Sequence, residues 1–234
     1  MSARFAKFLA LPLLAAALSA QVNPPEPAQD AADPSPKILP DTENSRATDT
    51  LLLGYRLADY ARATKDARAM IVAARMIDSI PLKKGTDKGR LDREMVTEGA
   101  VDTLTAADLF AEAGRLAAGD PDLLAEIEAS QAEQTRGVAC PCNSIRTARF
   151  VPAKTTWTLR VTRRGGEPFV VGARRDSAVP VVLRVLDENG GLMCQDRSGN
   201  VTLYCRVNPI WTGPVSVQTV NYGEQGTGVA LVSN

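Results

Sequence analysis

The sequence has no histidine among its 234 residues, only four cysteines, few aromatic residues (5%) and no excess of either charge, with 27 basic and 27 acidic residues. Without an imidazole, catalytic systems that pair serine or cysteine with histidine are excluded. Zinc and copper sites built on histidine are excluded for the same reason. The balanced charge argues against a simple polycation, so no nucleic-acid partner is predicted.

Long apolar runs are also missing, except for a short one near the amino terminus. Arg4 and Lys7 precede an apolar stretch, residues 8–18, which is followed by two small residues. This order is typical of a secretory signal peptide. The stretch is shorter than the ~20 residues that a membrane-spanning helix needs. We therefore predict a signal peptide over residues 1–20, a periplasmic or secreted location, and no transmembrane segment in the mature chain.

A proline-rich stretch separates the signal peptide from the first folded region. It spans residues 21–41 and holds six prolines, which favour extended polyproline II structure, so we predict a tether. From residue 42 to 137, apolar residues recur at spacings of three and four, the pattern of amphipathic helices. One long helix is predicted to begin at Thr48 or Asp49 and to end before Pro81.

Two shorter helices are predicted to follow a charged loop over residues 83–99. Thr105 and Asp108 have the spacing of a capping box at the start of the first one. Asp120 and Pro121 supply an N-cap and a first-turn proline for the second. The segment is therefore expected to form a helical hairpin or small bundle.

Alternation of apolar and polar residues replaces the helical spacing after about residue 148. Trp157, Leu159 and Val161 alternate with threonine and arginine, which predicts a half-buried strand with Trp157 in the core. Seven or eight such strands recur at intervals of about ten residues, separated by turns rich in glycine, asparagine and proline. We therefore predict an α+β fold in which the helices are followed by an antiparallel, jelly-roll-like β-sandwich over residues 145–234.

Cysteines of an exported protein are more often structural than catalytic. Cys194 and Cys205 flank a predicted hairpin with Gly199 and Asn200 at its tip, a pair that suits a two-residue turn. This register sets the two cysteines opposite each other. We therefore predict a disulfide between Cys194 and Cys205.

The Cys140-Pro141-Cys142 segment allows two interpretations. Two thiolates so close together attract soft metals or perform redox chemistry. However, no histidine can complete a metal site, and the pair lies at a junction between segments rather than at the start of a helix. We favour a structural disulfide, and a thiol redox or metal-binding protein is the alternative function. No metal site and no cofactor are predicted.

Tyr204, Arg206 and Trp211 are the candidate ligand-binding residues. Tyr204 and Arg206 lie on the polar face of their predicted strand, and an exposed aromatic ring beside polar groups can stack on a sugar or hold a peptide. A carbohydrate-binding module using Tyr204 and Trp211 is a further alternative. For Trp211, in a Pro-Ile-Trp-Thr-Gly turn, we favour a place in the core or at a corner of the fold. Residues 187–189 are interpreted as a hairpin turn rather than as calcium ligands.

The zero net charge conceals two halves of opposite sign. Residues 41–136 hold 13 basic and 18 acidic residues, whereas residues 137–234 hold 11 basic and 6 acidic ones. Because opposite charges attract, we predict either that the halves pack against each other or that the basic half meets an anionic envelope surface.

Three stretches between residues 174 and 234 carry a resemblance to a known family. They are Val182–Gly190, Leu192–Cys194 and Trp211–Tyr222. They resemble the bacterial pre-peptidase C-terminal domain family. This resemblance implies a compact β-sandwich in a secreted or periplasmic protein, often beside a peptidase, and it brings no catalytic residue. We therefore predict a non-enzymatic exported accessory protein that binds a protein or an anionic cell-envelope polymer.

Overall fold

The computed structural model describes residues 39–93, 101, 103–134 and 142–234. The predicted signal peptide and nearly all of the predicted tether lie outside the described residues. The same holds for Cys140 and Pro141, so the predicted pairing of Cys140 with Cys142 lies outside them too.

Four helices occupy the amino-terminal part of the described chain. They are α1 (Glu43–Thr64), α2 (Ala67–Asp78), α3 (Ala106–Leu116) and α4 (Pro121–Gln134). None of the helices in the described ranges is both long and apolar enough to cross a membrane.

The single long helix predicted up to Pro81 is wrong, because the chain forms two helices there. Lys65 takes up a left-handed conformation (φ 56°) that ends α1, and the Asp66 carboxylate accepts the N–H of Ala69 to begin α2. The predicted start at Thr48 or Asp49 is also wrong, since Thr42 caps α1. Apolar spacing continues across the break, so periodicity alone does not reveal it.

The local signals for the two later helices are confirmed. The Thr105 hydroxyl accepts the N–H of Asp108, and the Asp108 carboxylate accepts the N–H of Thr105 at 2.8 Å. At the start of α4, Asp120 Oδ1 accepts the N–H of Asp122 at 2.9 Å. Both contacts satisfy donors that a helix leaves free in its first turn.

Ten strands in the described residues form two five-stranded sheets. In chain order they are β1 (Leu82–Lys84), β2 (Arg90–Leu91), β3 (Ser144–Val151), β4 (Thr156–Arg163), β5 (Phe169–Arg175), β6 (Val181–Leu186), β7 (Leu192–Asp196), β8 (Thr202–Val207), β9 (Gly213–Asn221) and β10 (Thr227–Ser233). Sheet A has the order β1-β3-β10-β5-β8 and sheet B the order β2-β4-β9-β6-β7. Only the β1–β3 pair is parallel among these strands. The predicted α+β fold with a β-sandwich is confirmed.

Two apolar cores lie on the two faces of sheet A. The first lies between the sheets and includes Trp157, which is fully buried as predicted. The second lies between the helices and the outer face of sheet A, where Val170 and Val232 join the helical residues. Gly172 lets α1 approach this face, because a Cβ atom there would lie 2.2 Å from Leu52 Cδ2. Strands β5 and β10 are consequently buried on both faces.

The segment predicted as a charged loop over residues 83–99 connects the two sheets along one side. Strand β1 joins sheet A, β2 joins sheet B, and residues 85–89, here called the crossing segment, pass between them. Trp157 Nε1 donates to the Lys88 carbonyl at 2.8 Å and Arg149 donates to the Gly89 carbonyl at 2.8 Å, so one strand of each sheet holds this segment. Gly89 has φ 62°, a left-handed conformation that favours glycine.

A disulfide joins Cys194 and Cys205 on the opposite side of the sandwich. The predicted hairpin between these cysteines is wrong, because β7 pairs with β6 in sheet B whereas β8 pairs with β5 in sheet A. Residues 197–201 therefore cross from one sheet to the other instead of forming a tight turn. The bond links the edge strands of the two sheets.

Candidate functional site

Tyr204 and Arg206 lie under α1 and form part of the packing between the helices and sheet A. The Tyr204 hydroxyl donates to Asp49 Oδ1 at 2.8 Å, and Arg206 Nη1 donates to Asp49 Oδ2 at 3.1 Å. Arg206 also pairs with Asp41. The polar face of β8 is therefore covered by a helix rather than open to a ligand. Ligand binding by Tyr204 or Arg206 stays a prediction, and α1 covers the face of β8 on which both side chains lie.

A second polar cluster joins the same elements further along α1. The Asp59 carboxylate accepts the Thr202 hydroxyl at 3.0 Å and lies 3.6 Å from Arg174 Nη2. Thr48 and Ser144 share a buried hydrogen bond of 2.8 Å. Acidic residues of the helical half thus meet basic residues of the β half. The prediction that the two halves pack against each other is confirmed.

The environment of Tyr204 changes its acidity. Burial, followed by the hydrogen bond to the negatively charged Asp49, raises the pKa of Tyr204 to about 12. The hydrogen bond to Asp41 raises the pKa of the Arg206 guanidinium as well. Both shifts favour the protonation states seen at neutral pH, a donating phenol and a charged guanidinium.

We expect Tyr204→Phe to remove one strongly alkaline step from an ultraviolet titration of the phenolates. The folded-state pKa is raised above the ordinary tyrosine value of about 10. The stability that this shift contributes is thus fully present below pH 10 and is lost as the pH rises through about 12. Tyr60→Phe, at an exposed position of α1, is the control that should leave that step in place. A Tyr204→Phe protein with an unchanged alkaline titration would contradict this assignment.

Trp211 lies in the loop between β8 and β9, where its side chain is 80% exposed. The interpretation that places it in the core is therefore wrong, whereas the loop does form a corner between sheet A and sheet B. Its neighbour Ile210 is 67% exposed, and Leu192, at the start of β7, is 57% exposed. Since β7 and β9 both begin at this end of sheet B, the three apolar side chains belong to one end of the sandwich.

The Trp211 loop, residues 208–212, is held in place by its neighbours. Gly166 donates its N–H to the Pro209 carbonyl at 2.8 Å, and Gly165 donates its N–H to the Thr212 hydroxyl at 3.0 Å. A Cβ atom at Gly165 would lie 2.3 Å from the Ile210 carbonyl oxygen, so the two loops pack backbone to backbone. An exposed tryptophan on a supported loop is the arrangement that protein-binding surfaces use.

The acidic turn between β6 and β7 belongs to the same end and has a structural role. Asp187 Oδ1 accepts the N–H groups of Asn189 at 2.9 Å and Gly191 at 2.6 Å, as the interpretation of residues 187–189 as a turn predicts. Among the described residues, no three acidic or cysteine side chains are grouped as a metal site would require.

The sequence singled out Trp211 but not its neighbours Ile210 and Leu192. Both are apolar residues in or beside turns, and only the exposure of their side chains in the structure identifies them as part of this surface. The sequence analysis did not predict that α1 covers Tyr204 and Arg206. The excess of acidic residues in the helical half was the one signal that indicated contact between the helices and the basic β half.

Comparison with known proteins finds similar solved structures but no matching sequence or family model. No protein-family model matches the sequence, and no curated protein sequence matches it. Among solved structures, it is similar to a pre-peptidase C-terminal domain of a collagenase from Bacillus anthracis, with 9% identity and a TM-score of 0.32 over 37% of this chain and 88% of that one. It is also similar to PliG, a periplasmic inhibitor of g-type lysozyme from Aeromonas hydrophila, with 12% identity and a TM-score of 0.30 over 38% of this chain and 84% of that one. The first of these is a domain of the family that the sequence was expected to resemble.

Proposed function

We propose that the protein is an exported, non-enzymatic binding protein whose sandwich contacts a partner protein through the loop end around Trp211. The observation that carries this proposal is the exposure of Trp211, at 80%, on a loop fixed by hydrogen bonds. A large apolar side chain in water gains free energy when a partner covers it. Tryptophan is also among the residues that dominate protein interfaces.

The architecture supports this choice of surface. The outer face of sheet A is covered by α1, and the inner faces of both sheets form the core. The loops at the Trp211 end remain accessible, and the rigid sandwich beneath them lowers the conformational entropy lost on binding. The disulfide between Cys194 and Cys205 and the predicted signal peptide both support an extracytoplasmic location.

The partner test is a photocrosslinking experiment followed by an affinity measurement. Benzoylphenylalanine at position 211 should give one defined adduct in the cell envelope, and the same probe at Tyr60, which is 58% exposed on α1, should not. Excess wild-type protein should suppress the adduct. With the purified partner, Trp211→Ala should weaken binding by about tenfold or more.

Three outcomes would contradict the proposal. They are adducts of equal yield from both probe positions, an unchanged affinity of the Trp211→Ala protein, and retention on an insoluble envelope polymer that does not depend on Trp211. The last would favour polymer binding by another surface of the sandwich.

A further inference from the structure

A cavity of about 270 Å³ opens between the two sheets beside the crossing segment. Its apolar walls come from strands of both sheets, namely Ile145, Leu159, Val161, Val171, Val217 and Leu231. The volume lies near the lower end of ligand pockets, which span about 300–1,000 Å³. Apolar walls of this kind favour contact with the apolar part of a ligand. The interior therefore fits a narrow hydrocarbon chain.

The lining of this cavity also includes more basic than acidic side chains. Lys83, Lys84 and Arg163 line it, against one acidic residue, Asp87. Asp87 Oδ1 is engaged by the N–H of Gly89 at 2.8 Å. Within the described part of the chain, the ammonium groups of Lys83 and Lys84 have no hydrogen-bond or ion-pair partner. The mouth thus offers positive charge to a bound molecule.

Arg163 brings a further charge to the same place from the end of β4. Its guanidinium lies 4.4 Å from the centre of the Phe169 ring, and its Nη1 donates to the main-chain oxygen of Asn234. Its Nε is buried and has no partner among the described residues. A cation in these surroundings favours an anionic group nearby.

Lys83 is held at the mouth by the backbone around it. Successive side chains of β1 point to opposite faces of sheet A, so Lys83 lies on the cavity side with its partner Ile145, whereas Lys84 lies on the helix side. Strand β1 pairs with β3, and Gly85 donates its N–H to the Arg146 carbonyl at 2.8 Å, directly after Lys84. A Cβ atom at Gly85 would lie 2.1 Å from Thr147 Oγ1, so the segment lies close against β3. The entrance is therefore a formed feature of the fold.

We propose that this cavity binds a medium-chain carboxylate amphiphile, with the hydrocarbon chain between the sheets and the carboxylate at Lys83. The apolar walls match the chain and the basic mouth matches the head group. None of the residues that line the cavity belongs to the Trp211 loop, so this proposal can be tested independently of the proposed partner surface. Replacing Lys83 removes no side-chain hydrogen bond or ion pair among the described residues.

Calorimetric titration with decanoate, below its micelle-forming concentration, tests the proposal. Saturable one-to-one binding is expected to the wild-type protein. The Lys83→Gln protein should bind decanoate about tenfold more weakly, whereas the matched Lys88→Gln protein should bind it as the wild type does. Decanol, which has no charge, should bind the wild type more weakly than decanoate does and should not distinguish the variants.

A second variant tests the location of the chain. Val161 is half-buried in the cavity wall, and Val161→Phe should fill the space and abolish decanoate binding without lowering the melting temperature. Unchanged decanoate affinity in the Val161→Phe protein or in the Lys83→Gln protein would overturn the proposal. Equal binding of decanol and decanoate, or binding to phosphatidylglycerol vesicles but not to decanoate, would overturn it as well.

Discussion

Trp157→Ala is expected to lower the free energy of unfolding by about 3–5 kcal/mol, the largest effect of any single substitution considered. Trp157 is fully buried between the sheets, so its removal leaves a cavity that the surrounding strands cannot fill. The substitution also removes the hydrogen bond of 2.8 Å from Trp157 Nε1 to the Lys88 carbonyl. The crossing segment would then lose its side-chain hydrogen bond to sheet B, although β2 still pairs with β4. Urea unfolding followed by circular dichroism measures the loss.

The chain supplies a matched control, since its other tryptophan is Trp211. Trp211→Ala should change the stability by no more than about 0.5 kcal/mol, because its side chain is exposed. Trp157→Phe should fall between the two, as most of the apolar volume is kept while the hydrogen bond is lost. Equal losses in Trp157→Ala and Trp211→Ala would refute the placement of these two side chains.

Replacing both Cys194 and Cys205 by alanine is expected to cost about 3 kcal/mol of stability. The bond closes a short loop, with a sequence separation of 11, and it constrains the unfolded chain accordingly. In the folded state it also ties the edge strand of sheet B to the edge strand of sheet A. We expect the double variant to fold, because β7 and β8 keep their pairing with β6 and β5.

Non-reducing peptide mapping identifies the Cys194–Cys205 link directly, and urea unfolding measures its contribution. Adding reductant to the double variant separates the effect of this bond from the effect of any other. If the double variant unfolds at the same urea concentration as the oxidised wild type, the bond contributes no stability and the expectation is wrong.

Local features of the sequence predicted the secondary structure well. The capping residues Thr105 and Asp108 and the alternation around Trp157 depend on neighbours within a few positions, so they can be identified without the fold. The break at Lys65 was missed because that prediction used local spacing alone. Helical spacing persists on both sides of it, and a left-handed lysine has no distinctive sequence signal.

The candidate site was only partly predictable. Trp211 was identified as a candidate, although its exposure was not expected. Tyr204 and Arg206 were correctly placed on the polar face of a strand, yet that face packs against Asp49 of α1. Polar alternation shows which side chains avoid the core, but another element can still cover them.

The α+β class, the alternating strands, the helix caps and the opposite charges of the two halves were all predictable from the amino-acid sequence. Each of these depends on residue type and on short-range spacing. The folded chain was needed to show that β7 and β8 belong to different sheets, that the crossing segment connects the sheets, and that α1 covers β8. These outcomes depend on contacts between residues far apart in the chain. Local spacing does not specify such contacts, because a strand with the same pattern can pair in either sheet.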